Sequence, residues 1–195
     1  MPPIVRFSRE AVLDAAYQLI RREGPSALNA RSVAKELGGS TQPIFRLFSG
    51  MDELRQAVTE MALSLWTDRL RERLQTSTFP YLTIGMAYLL FAKEEPELFK
   101  LLFMRDRVSD GSCTDYDVDF GIPMIENTVK VDVNTARKLY ERNWFFCHGL
   151  AVSIATKYIP CFNECHMRQL LVESLQGAAL QLHVELPTID QCKDI

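Results

Sequence analysis

Three groups of residues in this chain carry chemistry worth locating. The first is Thr41, Gln42 and Arg46, set in the stretch GGSTQPIFRLFSG that spans residues 38–50. A hydroxyl, an amide and a guanidinium at that spacing give one short helix the donors and acceptors that read base edges and phosphates of a DNA duplex. The second is Trp144 and His148, one helical turn apart, with Tyr88, Phe91, Phe103 and Tyr140 as further rings. They could line a pocket for a small molecule; the same residues serve equally as packing, with His148 a hydrogen-bonded core histidine. The third is Cys161-Phe162-Asn163-Glu164-Cys165-His166, which has the makings of a thiol or metal site. Its C-x3-C-H spacing is not a zinc pattern, and no second ligand pair accompanies it. No Gly-rich phosphate loop, G-x-S-x-G or H-E-x-x-H stands in the chain. No catalytic residue, metal ligand or cofactor is therefore assigned, and an enzyme is not expected.

These side chains need elements to hold them, and almost the whole chain reads as helix. Ser8 is placed to cap a first helix, with Val12, Ala16, Leu19 and Ile20 on one face and Gly24-Pro25 at its end. Asn29 is placed to cap a second, with Val33, Ala34 and Leu37 inward and Gly38 after it. Ser40 is expected to cap a third, with Pro43 in its first turn. Helix, Gly-containing turn and short helix is the helix-turn-helix pattern. Leu19, Val33, Ala34, Leu37, Ile44 and Phe48 can close its core. A long helix then follows from about Asp52 to Gln75, with Leu54, Val58, Met61 and Leu65 at 3.6-residue spacing. Further helices are expected over Pro80–Lys93, Pro96–Met104, Gly121–Lys130, Thr135–Tyr158 and Asn163–Leu186, with a polar loop from Arg105 to Asp119. The nearest approach to a strand is IENTVKVDVN, residues 125–134. The fold expected is all-α: a three-helix DNA-binding domain over residues 1–50, then a helical bundle over 51–195 for ligand binding and dimerisation.

The charge distribution agrees. The 195 residues carry a net charge of −3, but residues 1–50 hold seven Lys and Arg against four acids, leaving a charge of −6 for the remainder. A positive end on a negative chain suits a nucleic-acid-facing domain. The N-terminus has no apolar run after its first charges, so it does not read as a secretory signal. The longest apolar stretch, Trp144 to Thr156, is broken by His148 and Ser153, short of the roughly 20 residues a membrane span needs. With five irregularly spaced Cys, free thiols in a reducing cytoplasm are expected, and no membrane partner.

The pattern G-x3-L-x2-R-x-V-A-x2-L-G-x-S-x3-I-F-x2-F-x4-E-L, from Gly24 to Leu54, resembles the N-terminal domain of the TetR family of bacterial transcriptional repressors. The resemblance implies an operator-binding protein, and a DNA-facing set of Asn29, Arg31, Ser40, Thr41, Gln42, Pro43, Phe45 and Arg46. This chain departs from the family where Phe45 replaces a Tyr, Leu47 a His, and Met51 a basic residue; Gly39 stands for a small apolar turn residue. Losing those polar groups weakens the hold on the phosphate backbone. Arg6, Arg9, Arg31, Lys35 and Arg46 could offset it.

Trp144, His148 and Gly149 also resemble the Trp-His-Gly signature of one subgroup of C-terminal domains in that family. This implies a dimerising domain that answers to an inducer. The helix around Trp144 is apolar on all sides, so it should lie against its own core on one side and a partner on the other. The last helix has a stripe of Met167, Leu170, Leu171, Leu175, Ala178 and Leu182, and Gly177 beside it permits close approach. Two such helices from each of two chains make a four-helix bundle and a homodimer. The aromatic and Met-rich composition points to an apolar or aromatic small-molecule inducer. The rival readings are a helical interaction module with weak or lost DNA binding, and a Cys/His metal- or thiol-dependent protein.

Overall fold

The computed structural model describes residues 7–106, 116–158 and 163–189. Within them the fold is all-α, with no strand among the described residues. The helices are α1 (Arg9–Glu23), α2 (Ala30–Glu36), α3 (Gln42–Leu47), α4 (Met51–Leu74), α5 (Pro80–Glu94), α6 (Pro96–Phe103), α7 (Tyr116–Val129), α8 (Val133–Ala155) and α9 (Glu164–Gln181). The segment IENTVKVDVN is not a strand: α7 runs through Val129, and α8 begins at Val133. Asp132 makes that restart, its carboxylate accepting from the N–H groups of Asn134 and Thr135 at 3.0 and 3.2 Å.

Packing divides the chain into two compact units that do not follow chain order. The first comprises residues 1–67 and 95–105; the second comprises 68–94 and 106–195. In the first, α1, α2 and α3 close around Val12, Leu19, Ile20, Val33, Ile44 and Phe48, all buried. Helix α6 belongs to the same unit and packs on α1 and the short turn Pro25–Ala27. Three local devices set the entry and exit of these helices. Ser8 Oγ accepts from Ala11 N at 3.1 Å. Asn29 Oδ1 accepts from the N–H groups of Arg31 and Ser32 at 3.1 and 3.0 Å. Gly38, at φ +66°, closes α2 with bonds from Gly38 N to Lys35 O and from Gly39 N to Ala34 O. That left-handed step is one a side chain would resist, and it turns the chain sharply into α3.

Ser40 does not cap α3. Thr41 holds the cap position, already with helical backbone angles, and no side chain completes it. The reason is local: Pro43 has no N–H to offer, and Ile44 N is taken by Thr41 O at 3.1 Å. In α4 the buried row is Leu54, Val58 and Ala62, whereas Met61 is exposed.

In the second unit, α5 lies among α7, α8 and α9. Its buried residues include Leu82, Met86, Leu89 and Phe91, with Leu139, Ala151, Leu171 and Leu175 from α8 and α9. Helix α7 meets α8 closely at Gly121. A Cβ built there would lie 2.4 Å from Cε2 and 2.7 Å from Cδ2 of the buried Tyr140 ring. Gly121→Ala is therefore expected to destabilise the protein by about 1–3 kcal/mol, because a ring packed on every side cannot step aside. Denaturant unfolding of the variant measures the loss, and an unchanged midpoint would contradict it.

Candidate DNA-binding and ligand sites

The outer surface of α2 and α3 is built from short side chains and cations on a rigid apolar base. Ile44 and Phe48 anchor α3 inward, which turns Gln42, Phe45 and Arg46 outward, all exposed. Ser40 is exposed, and Thr41 and Pro43 are half-buried at the start of the helix. Arg31 is exposed on α2, one turn from Lys35. Asn29 sits differently from the rest. Its oxygen holds two α2 N–H groups, and its amide donates to Ala27 O and Ser32 Oγ at 3.1 and 2.9 Å. Its side chain is thereby committed to positioning α2 and the exposed Arg31 at its start.

The cations of this unit fall into two classes. Arg9 bonds Glu53 at 2.9 Å and lies over the Phe48 ring at 4.4 Å. Arg22 bonds Glu23 and Glu36, and Arg21 bonds Glu95. These three arginines tie α1 to its neighbours. Arg31, Lys35 and Arg46 have no ion pair among the described residues. Arg55, exposed at the start of α4, has none either, so the positive charge left for a polyanion lies on α2, α3 and the first turns of α4. Glu53 reinforces the frame by accepting from Ser49 N at 2.6 Å. That backbone bond, with the Arg9 guanidinium, holds its carboxyl down at about 2. The start of α4 is thus pinned to the end of α3. Sequence reading missed the pairing of Arg9, Arg21 and Arg22, because their partners lie 44, 74 and 14 residues away.

The aromatic group of the second unit is only partly assembled. Tyr88 Oη and His148 Nδ1 are 2.9 Å apart, and Trp144 stacks on His148 with ring centroids 5.0 Å apart at 3°. All three are half-buried. Tyr140 packs instead against Tyr81, and Tyr81 Oη donates to Tyr140 O at 3.4 Å. Phe91 is buried beneath the Arg69 guanidinium, which sits 5.8 Å from the ring centroid and bonds Glu94 at 3.0 Å. Phe103 lies in the first unit, on α6, edge-on to Trp66 at 5.7 Å and beside Phe99. A cleft of 260 Å³ opens between the end of α4 and α5, with Arg69, Glu72, Arg73, Leu90, Phe91 and Glu94 among its walls. Of the six rings named from the sequence, only Phe91 borders it.

The remaining chemistry is sparse. Cys147 is buried, its thiol donating to Gly85 O at 3.7 Å, and Cys165 is exposed; neither forms a disulfide among the described residues, and Cys161 lies outside them. No cluster of His, Cys, Asp or Glu among the described residues could hold a metal ion. No described helix is long and apolar enough to cross a membrane.

Comparison with known proteins adds identity to this geometry. Residues 12–58 match the family model described as bacterial regulatory proteins, tetR family. No curated protein matches the chain. A solved structure described as a protein with unknown function from Rhodococcus sp. RHA1 is similar in fold, with a TM-score of 0.64 and 17% identity; the match covers 91% of this chain and 98% of that one. The matched segment holds α2, α3, most of α1 and the start of α4, the elements that carry the unpaired cations and Gln42. Residues 12–58 are thus similar to bacterial regulatory proteins of the tetR family, and the helix-turn-helix of α2 and α3 lies within them.

Proposed function

We propose that the chain is a homodimeric repressor that holds an operator through α3 and releases it when a small molecule occupies the second unit. One observation carries the DNA half of this reading: the unpaired cations Arg31, Lys35 and Arg46 gather with Gln42 on the exposed side of α2 and α3, inside the family-matched segment. Gln42 is suited to adenine and Arg46 to guanine or a phosphate. Arg31, Ser40, Thr41 and Pro43 flank them as positioning contacts, and Asn29 acts through α2.

The dimer reading is supported by an apolar surface that the chain leaves in water. On α8, Phe145 is 68% exposed, and on α9, Leu180 is 77% exposed. The glycines Gly149 and Gly177 face open space, where a second helix could come close. For the inducer, the half-buried group of Tyr88, Trp144 and His148 supports an apolar or aromatic ligand that keeps one polar contact. Binding there would favour one arrangement of the pair and so change the spacing of the two reading helices.

The test is direct. A duplex is enriched from a random-sequence pool on the purified full chain and used as the probe. Gln42→Ala and Arg46→Ala are each expected to cost about 1–3 kcal/mol of binding to that duplex. Two variants that bind as the parent does would overturn the assignment of α3. They would favour a helical interaction module, the reading that the apolar Phe45, Leu47 and Met51 also suit.

A further inference from the structure

We propose that Phe45 reads a thymine in each half-site through its 5-methyl group, so that it sets operator specificity without a hydrogen bond. The inference rests on the reading of α3 as the helix that enters the groove. Phe45 is 55% exposed, and it is the only large apolar side chain left exposed on α1, α2 and α3 among the described residues. It does not belong to the core: Ile44 and Phe48 supply that side of α3 and are buried. It projects next to Arg46 and one turn from Gln42, both exposed. A phenyl ring on a surface that docks against DNA gains by meeting an apolar group there.

The major groove offers one such feature. Its edge atoms are donors and acceptors, except for the C5-methyl of thymine, and apolar side chains are the groups that meet it. The phosphates on either side are no alternative. Phenylalanine has no hydroxyl to donate, and a ring laid over a phosphate would strip water from a charge and return nothing. Neighbouring Gln42 and Arg46 restrict where the ring can lie, because their hydrogen bonds fix the helix against the bases. The resulting contact differs in kind from a phosphate grip. It is insensitive to salt and carries sequence information.

Deoxyuridine tests this with one atom group, since it lacks only that methyl and keeps every hydrogen-bonding edge of thymine. The probe is the duplex enriched on the purified full chain, with each thymine replaced in turn by deoxyuridine. One thymine per half-site is expected to show about fourfold weaker binding on replacement, and roughly fifteenfold when both half-sites are replaced. In Phe45→Ala the thymine and uracil duplexes should bind equally; in Phe45→Leu part of the preference should persist. Thermal unfolding of Phe45→Ala should match the parent, because the ring is not in the core. Four results overturn the inference. No thymine is sensitive; sensitivity survives in Phe45→Ala; Phe45→Ala changes the oligomeric state with uracil sensitivity unaltered, which makes the ring a protein contact; or no duplex is enriched at all. Only the last also overturns the DNA reading itself, so the two failures are distinguishable.

Discussion

Arg21→Ala is expected to destabilise the first unit by about 3 kcal/mol, and Glu95→Gln by about 1 kcal/mol. The two changes break the same pair, so equal costs would be the simple guess. The asymmetry follows from where the partners sit. Arg21 on α1 places Nε and Nη2 at 2.6 and 2.5 Å from the two carboxylate oxygens of Glu95, which stands just before α6. The side chain of Glu95 is 4% exposed, whereas that of Arg21 is 46% exposed. Removing Arg21 takes two charge-assisted bonds from a carboxylate that is almost wholly buried. Removing the charge of Glu95 leaves a guanidinium that water already reaches, and the Gln carbonyl still accepts one bond. The chain has two Trp, with Trp66 in the first unit and Trp144 in the second. Denaturant unfolding followed by Trp66 fluorescence in a Trp144→Phe background therefore reports the unit in question. If Glu95→Gln costs as much as Arg21→Ala, the carboxylate is not the member that burial makes expensive.

That pair also shows where sequence reading stops. The caps were legible at Ser8 and Asn29, because an N-cap is a contract among residues three apart. The turn at Gly38 was legible because a left-handed residue there is best a glycine. The membership of α6 in the first unit was not, since it depends on Arg21 meeting Glu95 across 74 residues. The same holds for the grouping of rings. Phe103 and Tyr140 are expected from the sequence to join Trp144 and His148 around a ligand, but nothing local in the chain says which neighbours their rings meet. Helix ends failed for another reason. Three of them close on left-handed residues that are not glycine: Lys130 after α7, Lys157 after α8 and His183 after α9. Their backbones bond as a glycine turn would, with Tyr158 N to Ser153 O and Val184 N to Ala179 O. No residue type announces such an end, so α8 and α9 were read as running on to Tyr158 and Leu186 and instead stop at Ala155 and Gln181. In α4 the expected row drifted: Ala62, not Met61, follows Leu54 and Val58 into the core, one residue further round the helix.

If the chain pairs through α8 and α9 as proposed, Phe145→Asp is expected to give monomers and to weaken binding to the enriched duplex by on the order of a hundredfold or more. The expectation follows from what α8 and α9 leave uncovered. Arg142 on α8 bonds Gln181 on α9 at 2.9 Å, which sets the two helices side by side at this point. Phe145 follows Arg142 by one turn, and Leu180 adjoins Gln181, so both exposed apolar groups border that contact. A soluble chain seldom leaves rings and leucines this exposed at the seam of two packed helices without a partner to cover them. A second copy would bring the same groups to the same place, which is how a two-fold interface works. An aspartate there would have to leave water for an apolar seam, and Arg142 one turn away is already engaged with Gln181. The DNA effect is larger than any single base contact because half-site binding becomes independent. Once one reading helix is seated, the dimer holds the other at high local concentration, and the monomer has no such second event. Sedimentation and a binding titration on the enriched duplex measure the two consequences separately. Leu63→Asp on α4, also an exposed apolar position, should leave the assembly intact. A Phe145→Asp variant that still sediments as a dimer places the interface elsewhere, and a monomer that binds the full duplex as tightly as the parent shows that pairing does not couple the two half-sites.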